Sequence, residues 1–461
     1  MCMRDSFQLS PHTRPPHVVL FLYMAPPPPA AADQEEHPAP PLPLLLPSST
    51  SPFPVIVIGL GLVGSAAARH LSAALGSSLL AIGPPEPSIS WADYNGPFAS
   101  HYDQGRLARI SDPDPVWAAM AARSMARYSA LEQASGIRFH EAIGSLRVSP
   151  LPDGSLYQSL QVGRQQGAQQ ELIEDHNVLQ EKFPCFRFET GDAAIMERGA
   201  AGYINPRNMV SAQLALAQKN GACIVHEGVR EIVPIGYGVR IVTWKGQIFW
   251  ARKALVCAGI YSKFLLPGRT RVLDLTVHAR TVLLAEVGSE EAERLRTMPT
   301  FIWHLPKNPY LNWAYGCPPV KYPDGRLALK VGGTAWEAVD VGHCEADLDS
   351  WFKGGGDKAE RAALEDVLLR QLMPGLQTRS LSCKPCAVSF TAHGRPYIDS
   401  VDGERPASTA RVFVAAGGCG AAAKSADEIG RMAALLVLNG RWVSDMDPMM
   451  FRAVFKTKSS K

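Results

Sequence analysis

Residues 55–64 of the chain read VIVIGLGLVG, an apolar run rich in β-branched side chains followed by glycines at positions 59, 61 and 64. The run predicts a buried parallel strand, and the small residues after Gly64 predict a helix. A glycine at 59 permits the tight turn, one at 61 lets a pyrophosphate approach the backbone, and one at 64 lets the helix pack on the strand. The N–H groups at the start of such a helix can hold phosphates. The residues predicted to contact a dinucleotide here are Gly59, Gly61, Leu62, Val63 and Gly64.

An ordinary glycine-rich turn between a strand and a helix is the alternative interpretation of this stretch. A strand at Leu79–Ile82, about twenty residues downstream, favours the dinucleotide-binding one. Domains of that kind carry an acid for the adenosine ribose near this point. The chain has Gly-Pro-Pro-Glu, so Glu86 is the candidate acid.

Composition limits the function classes that need to be considered. The 461 residues suffice for two or three domains, and 46% hydrophobic content supports sizeable cores. A formal charge of +3 does not favour nucleic acid as a partner. Nine scattered cysteines fit a reduced compartment. Cys383 and Cys386 form a single Cys-x-x-Cys without a second pair, so no metal site is predicted.

Prolines concentrate in residues 1–53, in runs such as Pro26–Pro29. Such a segment cannot bury a core and is predicted to be a disordered or extended tail. It is also a candidate targeting segment, although Asp33, Glu35 and Glu36 argue against an organellar transit peptide. Together with the lack of a long apolar stretch, this predicts a soluble intracellular protein without a membrane span, whose compartment is left open.

Capping signals place the longer elements. Asp114-Pro115 predicts a helix that runs to Gly136, followed by a strand over 139–148. Asn205-Pro206 predicts a second helix that ends at Gly221. Further strands are predicted at 223–225, 239–244, 247–250 and 254–257, and a helix at 359–373.

The end of the chain repeats the strand–glycine–helix pattern. Val412–Ala416 predicts a buried strand, residues 417–420 a glycine turn, and 421–438 a helix with Lys424 in its first turn. A cation there opposes the helix dipole, which suggests that Lys424 meets an anion. The N–H groups of Gly420 and Ala421 can stabilise negative charge on a bound ring.

Four segments resemble the FAD-dependent D-amino acid oxidase-like superfamily, and within it the monomeric sarcosine oxidase and pipecolate oxidase branch. They are VIVIGLGLVGSAAARHL (55–71), SHYDQGRLARI (100–110), KALVCAGIYSKFLL (253–266) and VFVAAGGCGAAAKSADEIG (412–430). The resemblance implies an α/β (α+β) fold, a Rossmann-like FAD/NAD(P)-binding domain interleaved with a mixed-sheet substrate domain. The predicted parts are FAD-binding at 54–145, 199–272 and 382–445, and substrate-binding at 146–198 and 273–381.

The resemblance also implies the chemistry and the site. The family oxidises a C–N bond of an amino or imino acid by hydride transfer to flavin N5, with dioxygen as acceptor in the oxidases. Arg109 and Lys424 match the cations that bind the substrate carboxylate, Arg106 lies near the flavin, and Tyr102 stands where the branch has histidine. Further predicted cofactor contacts are Ser100, His101, Arg106, Ala258, Gly259, Gly418, Gly420, Ala421 and Lys424.

The match to the branch is incomplete at the flavin attachment. The strand that matches the one after the branch's flavin-bearing cysteine is Leu327–Gly332, and Leu327 takes the cysteine position. Non-covalent FAD in a monomer is therefore predicted. A dehydrogenase with another acceptor, a nicotinamide-dependent reductase and a non-catalytic flavin-binding protein remain alternatives.

Overall fold

The computed structural model describes residues 52–88, 93–266, 271–402 and 406–457. All but the last two residues of the predicted tail, 1–53, lie outside the described residues. The remaining chain forms one compact unit.

The strands of the described residues are β1 Phe53–Ile58, β2 Leu79–Ile82, β3 Arg106–Ala108, β4 His140–Glu141, β5 Ser145–Pro150, β6 Gln170–Ile173, β7 Asp192–Glu197, β8 Gly202–Ile204, β9 Cys223–Val225, β10 Val229–Ile235, β11 Gly238–Thr243, β12 Ile248–Val256, β13 Arg271–Leu273, β14 Leu275–Val287, β15 Thr300–His304, β16 Leu311–Lys321, β17 Leu327–Ala335, β18 Thr378–Thr391, β19 Tyr397–Ser400, β20 Val412–Ala416 and β21 Phe455–Thr457.

The α-helices of the same residues are α1 Leu62–Leu75, α2 Pro115–Met125, α3 Tyr128–Ser135, α4 Gly154–Gln165, α5 His176–Lys182, α6 Pro206–Lys219, α7 Ser262–Leu265, α8 Ser289–Arg294, α9 Glu345–Lys353, α10 Lys358–Asp366 and α11 Ala422–Asn439. Short 3₁₀ turns lie at Gly76–Ser78, Gly259–Tyr261 and Pro448–Phe451, and a π-helical turn at Val367–Leu372.

The first sheet is built around β1, which the glycine motif follows. β2 and β12 flank β1 in parallel, and β9 continues beyond β2. β12 is long enough to pair with two strands on the side away from β1. Its first half pairs antiparallel with β11 and its second half pairs in parallel with β20, which brings the C-terminal strand beside the N-terminal ones.

Helices α1 and α11 pack against each other over this sheet. A Cβ built on Gly430 of α11 would lie 2.6 Å from Cβ of Ala66 and 2.7 Å from the backbone N of Ala67, both in α1. Only glycine permits this approach. The two helices that follow β1 and β20 therefore begin on the same side of the first sheet.

The second sheet has eight strands in the order β18-β14-β17-β16-β15-β5-β7-β6. One of its faces is a hydrophobic core that includes Leu146, Val148, Phe301, Trp303 and Val331. Because side chains alternate along a strand, the residues between these point to the opposite face, which we call the inner face. One row across the inner face, in order of pairing, is Arg147, Ile302, Tyr315, Gly332, Val282 and Lys384.

Most predicted elements are confirmed, with boundaries within a few residues. The strands at Leu79–Ile82 and Val412–Ala416 match their predictions, and Asp114 and Asn205 cap α2 and α6 through their side chains. The C-terminal helix begins at Ala422.

Five predicted elements need correction. The strand predicted at 139–148 is interrupted because Gly144 takes a φ of +87°, so β4 and β5 are separate. The segments at 247–250 and 254–257 form one strand, β12, and the helix predicted to run to Gly136 is interrupted between α2 and α3. The helix predicted at 359–373 ends in a π-helical turn after Asp366.

The predicted domain boundary between residues 381 and 382 falls inside β18. This strand pairs with β14 along its whole length, from Thr378 to Thr391. Residues 382–391 therefore belong to the second sheet, and the chain returns to the first sheet only at β19.

Candidate active site

The glycine turn after β1 has the geometry that its sequence predicts. Gly59 has a φ of +95° and its N–H donates to the carbonyl of Ile82 at 2.7 Å. A Cβ on Gly64 would lie 1.8 Å from the Gly59 carbonyl oxygen. The turn and the close contact between strand and helix therefore both require glycine.

The space in front of Gly61 is open. A Cβ built on Gly61 would meet Nδ1 of His101 at 3.7 Å and no other described atom within 4 Å beyond its own neighbours. Nδ1 of His101 is buried and has no hydrogen-bond partner among the described residues. Burial, then the charges of Arg207 and Arg106, lower the His101 pKa to about 3, so the ring is neutral. A neutral imidazole with a buried, unpartnered nitrogen is ready to bind a polar ligand.

The two helices that follow the glycine turns have no side-chain cap at their N-termini. Gly61 precedes α1 and Ala421 precedes α11, and neither provides a capping hydrogen bond. Before α11, Cys419 and Gly420 have φ values of +46° and +78°, a left-handed turn. The N–H groups of Ala421 and Ala422 both donate to the Gly418 carbonyl, at 2.8 and 3.0 Å, so the predicted Ala421 N–H is engaged within the turn. The remaining N–H groups at the starts of both helices suit an elongated anionic dinucleotide.

Arg109 and Lys424 converge on one carboxylate, that of Asp112. Lys424 Nζ lies 2.9 Å from Asp112 Oδ2 and Arg109 Nη1 lies 3.4 Å from the same oxygen. Lys424 is buried, with 4% exposure, so it is not a surface lysine. Burial and the Arg109 charge lower its pKa to about 8, although Asp112 counteracts them. Burial raises the Asp112 pKa, but Lys424 and Arg109 outweigh it and bring the pKa to about 2. At neutral pH these three groups therefore carry two positive charges and one negative charge.

Arg106 belongs to a second polar group, centred on Asp103. Asp103 accepts from Arg106, from Lys330 at 3.0 Å and from the Tyr322 hydroxyl at 3.1 Å. Burial works against ionisation of Asp103, but Arg106 and then Lys330 hold its pKa well below the ordinary value. Lys330 extends from the inner face of the second sheet and also donates to the Gly105 carbonyl. This group therefore joins segment 100–109 to the second sheet.

The remaining predicted residues lie in three settings. The Tyr102 hydroxyl donates to the Pro85 carbonyl at 3.3 Å, and the Ser100 carbonyl accepts from Arg106 at 2.9 Å. Ala258 and Gly259 lie two and three residues after the end of β12. The Gly418 N–H donates to Ser389 Oγ at 3.3 Å. Glu86 pairs with Arg207 at 2.6 Å, so its carboxylate already has a strong partner.

Sequence reasoning missed three charged residues of this region: Asp112, Arg147 and Lys330. A charged residue inside the apolar strand LALKVG is a local signal that would have pointed to Lys330. Arg147 likewise interrupts the strand SLRVSP. Asp112 carries no such signal, since it lies in a polar loop. Within the described residues, no cluster of three histidine, cysteine or acidic side chains is placed to hold a metal ion.

The glycine turns, the two uncapped helices and the neighbouring second sheet define a dinucleotide-binding oxidoreductase class. The family model described as FAD dependent oxidoreductase (DAO) matches residues 54–436, and the chain belongs to this family. Family membership implies FAD as the cofactor and an enzymatic, redox function.

Individual proteins agree with this assignment. The chain is 27% identical over 394 residues to a monomeric sarcosine oxidase of Streptomyces avermitilis, covering 84% of this chain and 94% of that protein. It is 25% identical over 385 residues to an N-methyl-L-tryptophan oxidase of Yersinia pestis, covering 83% and 94%. The solved open form of NikD, an unusual amino acid oxidase essential for nikkomycin biosynthesis, has the same fold. Its TM-score is 0.68 at 18% identity, over 89% of this chain and all of that one.

None of the described helices combines the length and the apolar content needed to cross a membrane.

Proposed function

We propose that this protein is an FAD-dependent oxidase that removes hydride from the carbon of a C–N bond in an amino acid or an N-alkyl or cyclic amino acid. The observation that carries the proposal is the convergence of Arg109 and Lys424 on Asp112. Two cations and one carboxylate leave one positive charge for one substrate carboxylate. The guanidinium offers a fork of donors and the ammonium a point charge, a suitable pair for a carboxylate.

The chain's own residues would hold FAD at the two glycine turns. The N–H groups at the start of α1 face the pyrophosphate in this proposal, with His101 beside them, and those at the start of α11 face the flavin ring. When bound, FAD supplies the acceptor for the hydride. Arg109 and Lys424 then orient the substrate by its carboxylate. Water hydrolyses the resulting imine to a carbonyl compound and an amine.

Similar proteins support a secondary amine as substrate. Sarcosine and N-methyl-L-tryptophan, named for two relatives, are both N-methyl amino acids. We therefore propose that N-alkyl amino acids are better substrates than primary amino acids. On the inner face, Ile302 and its strand neighbour Tyr315 are candidate apolar contacts for the substrate.

The test is flavin reduction without oxygen. The purified protein should be yellow, and an N-methyl or cyclic amino acid should bleach it, with peroxide released in air. A colourless protein that does not take up added FAD contradicts the proposal. A yellow protein that no amino acid bleaches supports a non-catalytic flavoprotein instead.

Dioxygen is the proposed electron acceptor. Reduction of oxygen develops negative charge, which a buried cation favours. The inner face carries a buried ammonium group, Lys330, and a partly buried one, Lys384, which donates to the Tyr102 carbonyl at 2.8 Å. Reduced enzyme should reoxidise within seconds in air, and Lys330→Met or Lys384→Met should slow this step. Reoxidation over many minutes in the unchanged protein supports a dehydrogenase.

Non-covalent attachment and a monomeric state complete the proposal. Cys317 is buried beneath Gly105, with Sγ 3.3 Å from a Cβ built there. Acid precipitation should therefore release the flavin, and size-exclusion chromatography should give one chain. If the flavin stays with the precipitate, Cys386 is the thiol to replace, because it lies within electrostatic range of Arg106.

A further inference from the structure

Arg147 is a buried guanidinium that lacks an acidic partner. It lies on β5 with 6% exposure, and no carboxylate of the described residues approaches it within 4 Å. Lys330 and Lys424, two other deeply buried cations, each pair with an acid at 3.0 Å or less, whereas Arg280, like Arg147, has no carboxylate within 4 Å among the described residues. A buried charge of this kind is costly unless it is paired, so its position calls for an explanation.

The polar atoms of Arg147 are only partly satisfied. Nη2 donates to Ser155 Oγ at 2.8 Å, and the guanidinium carbon lies 4.8 Å from the centre of the Trp313 ring. Nε is buried and has no hydrogen-bond partner among the described residues. The Trp313 ring holds the guanidinium plane in place, while one donor is left for an external acceptor.

The two acids that act on the charge of Arg147, Asp112 and Asp153, are already engaged, Asp112 by Lys424 at 2.9 Å. Asp153 accepts from the Ser155 N–H at 2.8 Å with one oxygen, and its other oxygen faces Ser149 and His304. Glu197 accepts from the N–H groups of Ile110 and Ser111, both at 2.7 Å. None of these carboxylates is therefore free to move to Arg147 without losing its own hydrogen bonds.

Arg147 lies on the substrate side of the second sheet. Its position pairs with Ile302, and Ile302 pairs with Tyr315, so the three share the inner face. The charges of Arg109 and Asp112 both act on its guanidinium, and burial followed by Arg109 lowers its pKa to about 10. Arg147 remains a cation at neutral pH, close to the proposed carboxylate-binding pair.

We propose that Arg147 and Trp313 form a second anion-binding position of the substrate pocket, and that the substrate is an amino or imino acid with a second carboxylate on its side chain. This inference rests on the proposed function for the first carboxylate. Arg109 and Lys424 bind the α-carboxylate, and Arg147 binds the one on the side chain.

Matched probes test the inference. N-methyl-L-glutamate and N-methyl-L-glutamine have nearly the same shape and differ in one charge, and sarcosine lacks the side chain. Dissociation constants come from the change in flavin absorbance or melting temperature under anaerobic conditions, and kcat/KM from peroxide release. The variants are Arg147→Gln and Arg147→Lys, with Arg138→Gln as control, since the Arg138 side chain is 77% exposed.

The unchanged protein should prefer the glutamate over the glutamine probe by about 10- to 100-fold, the range of a charge-assisted hydrogen bond. Arg147→Gln should abolish this preference, and it should lower kcat/KM for sarcosine far less than kcat/KM for the glutamate probe. Arg147→Lys should retain part of it, and Arg138→Gln all of it.

Other outcomes separate the two proposals. Equal binding of both probes, or equal loss for both in Arg147→Gln, overturns the inference and leaves the proposed function intact. If no amine reduces the flavin but glutamate binding still depends on Arg147, the proposed function fails and the anion position stands.

Discussion

Two buried clusters of charged side chains share helix α11 about one turn apart, and they differ in how completely their charges are paired. The structural cluster contains Asp427 and Glu428 with arginines 69, 127 and 431. The pocket cluster contains Lys424 with Arg109, Asp112 and Arg147. Both are formed by the same helix, so burial alone does not distinguish them.

Every carboxylate oxygen of the structural cluster has a cationic partner. Asp427 contacts Arg69 at 2.6 Å and also Arg127, and Glu428 contacts Arg127 and Arg431, both at 2.7 Å. None of these residues has an unpartnered buried atom. These ion pairs stabilise the packing of α11 against α1 and against the segment between α2 and α3.

The pocket cluster is paired less completely. A single oxygen of Asp112 contacts both Lys424 and Arg109. The Nε of Arg147 is buried and has no hydrogen-bond partner among the described residues. Charge that the protein does not pair internally can be paired by a ligand. The comparison therefore separates residues that stabilise the fold from residues that bind the substrate, and the following variants test that separation.

The largest effect is expected on stability in the structural cluster. Asp427→Asn should lower the free energy of unfolding by about 2–3 kcal/mol, because it removes the charged acceptor that Arg69 and Arg127, both partly buried, share. Lys424→Met should change it by less than about 1 kcal/mol, since Arg109 still pairs with Asp112. Urea unfolding of the holoenzyme measures both. Asp445→Asn is the control, an exposed partner of Arg123 worth about 1 kcal/mol at most. Equal losses in Asp427→Asn and Lys424→Met would show that the two clusters do not differ.

The next effect is on substrate affinity. Arg109→Ala and Lys424→Met should each weaken binding of a carboxylate substrate about 10- to 100-fold, because each removes a charged hydrogen-bond donor. FAD should stay bound in both, which the ratio of flavin to protein absorbance checks. Unchanged kinetics in both variants would contradict the proposal that Arg109 and Lys424 bind the substrate carboxylate.

The third effect is a pH dependence that only the pocket cluster should show. The pKa of Lys424 is about 8, so its proton is present at pH 7 and lost as the pH rises through 8. Binding of a carboxylate without an amine, such as propionate, should weaken about tenfold between pH 7 and pH 9. This loss of affinity at high pH should be absent in Lys424→Met and should occur at higher pH in Lys424→Arg. A flat profile in the unchanged protein contradicts a titrating Lys424.

The smallest effect is expected at Glu86. Its carboxylate is engaged by Arg207, so Glu86→Gln should change the FAD dissociation constant by less than about threefold, as for an exposed ion pair. Fluorescence titration of the apoprotein with FAD measures this. A tenfold or larger loss of FAD affinity in Glu86→Gln would instead support Glu86 as the acid that binds the ribose.

Local signals explain which parts of the fold the sequence predicts well. The strands β1, β2 and β20 are short apolar runs next to glycines, and Asp114 and Asn205 are helix caps followed by proline. Each signal lies within a few residues of the feature that it specifies. The strand at 139–148 was wrong because Gly144 takes a positive φ in contact with Ala201, a partner far along the chain.

The site was predicted less completely for the same reason. Arg109 and Lys424 follow from a family pattern, but Asp112 joins them only because α11 packs against the loop before α2. Arg147 faces the pocket because of the register between β5 and β15. The sequence marks Arg147 only as a charge within an apolar strand, and it gives no local sign of the contact that Asp112 makes.

The two-sided pairing of β12 has a consequence for truncated chains. β20 pairs with β12 in the centre of the first sheet, and α11, the second of the two helices proposed to face FAD, begins at Ala422, so a chain that ends before this point lacks half of the proposed cofactor site. Truncation of the last few dozen residues would abolish cofactor retention and not merely trim a terminus.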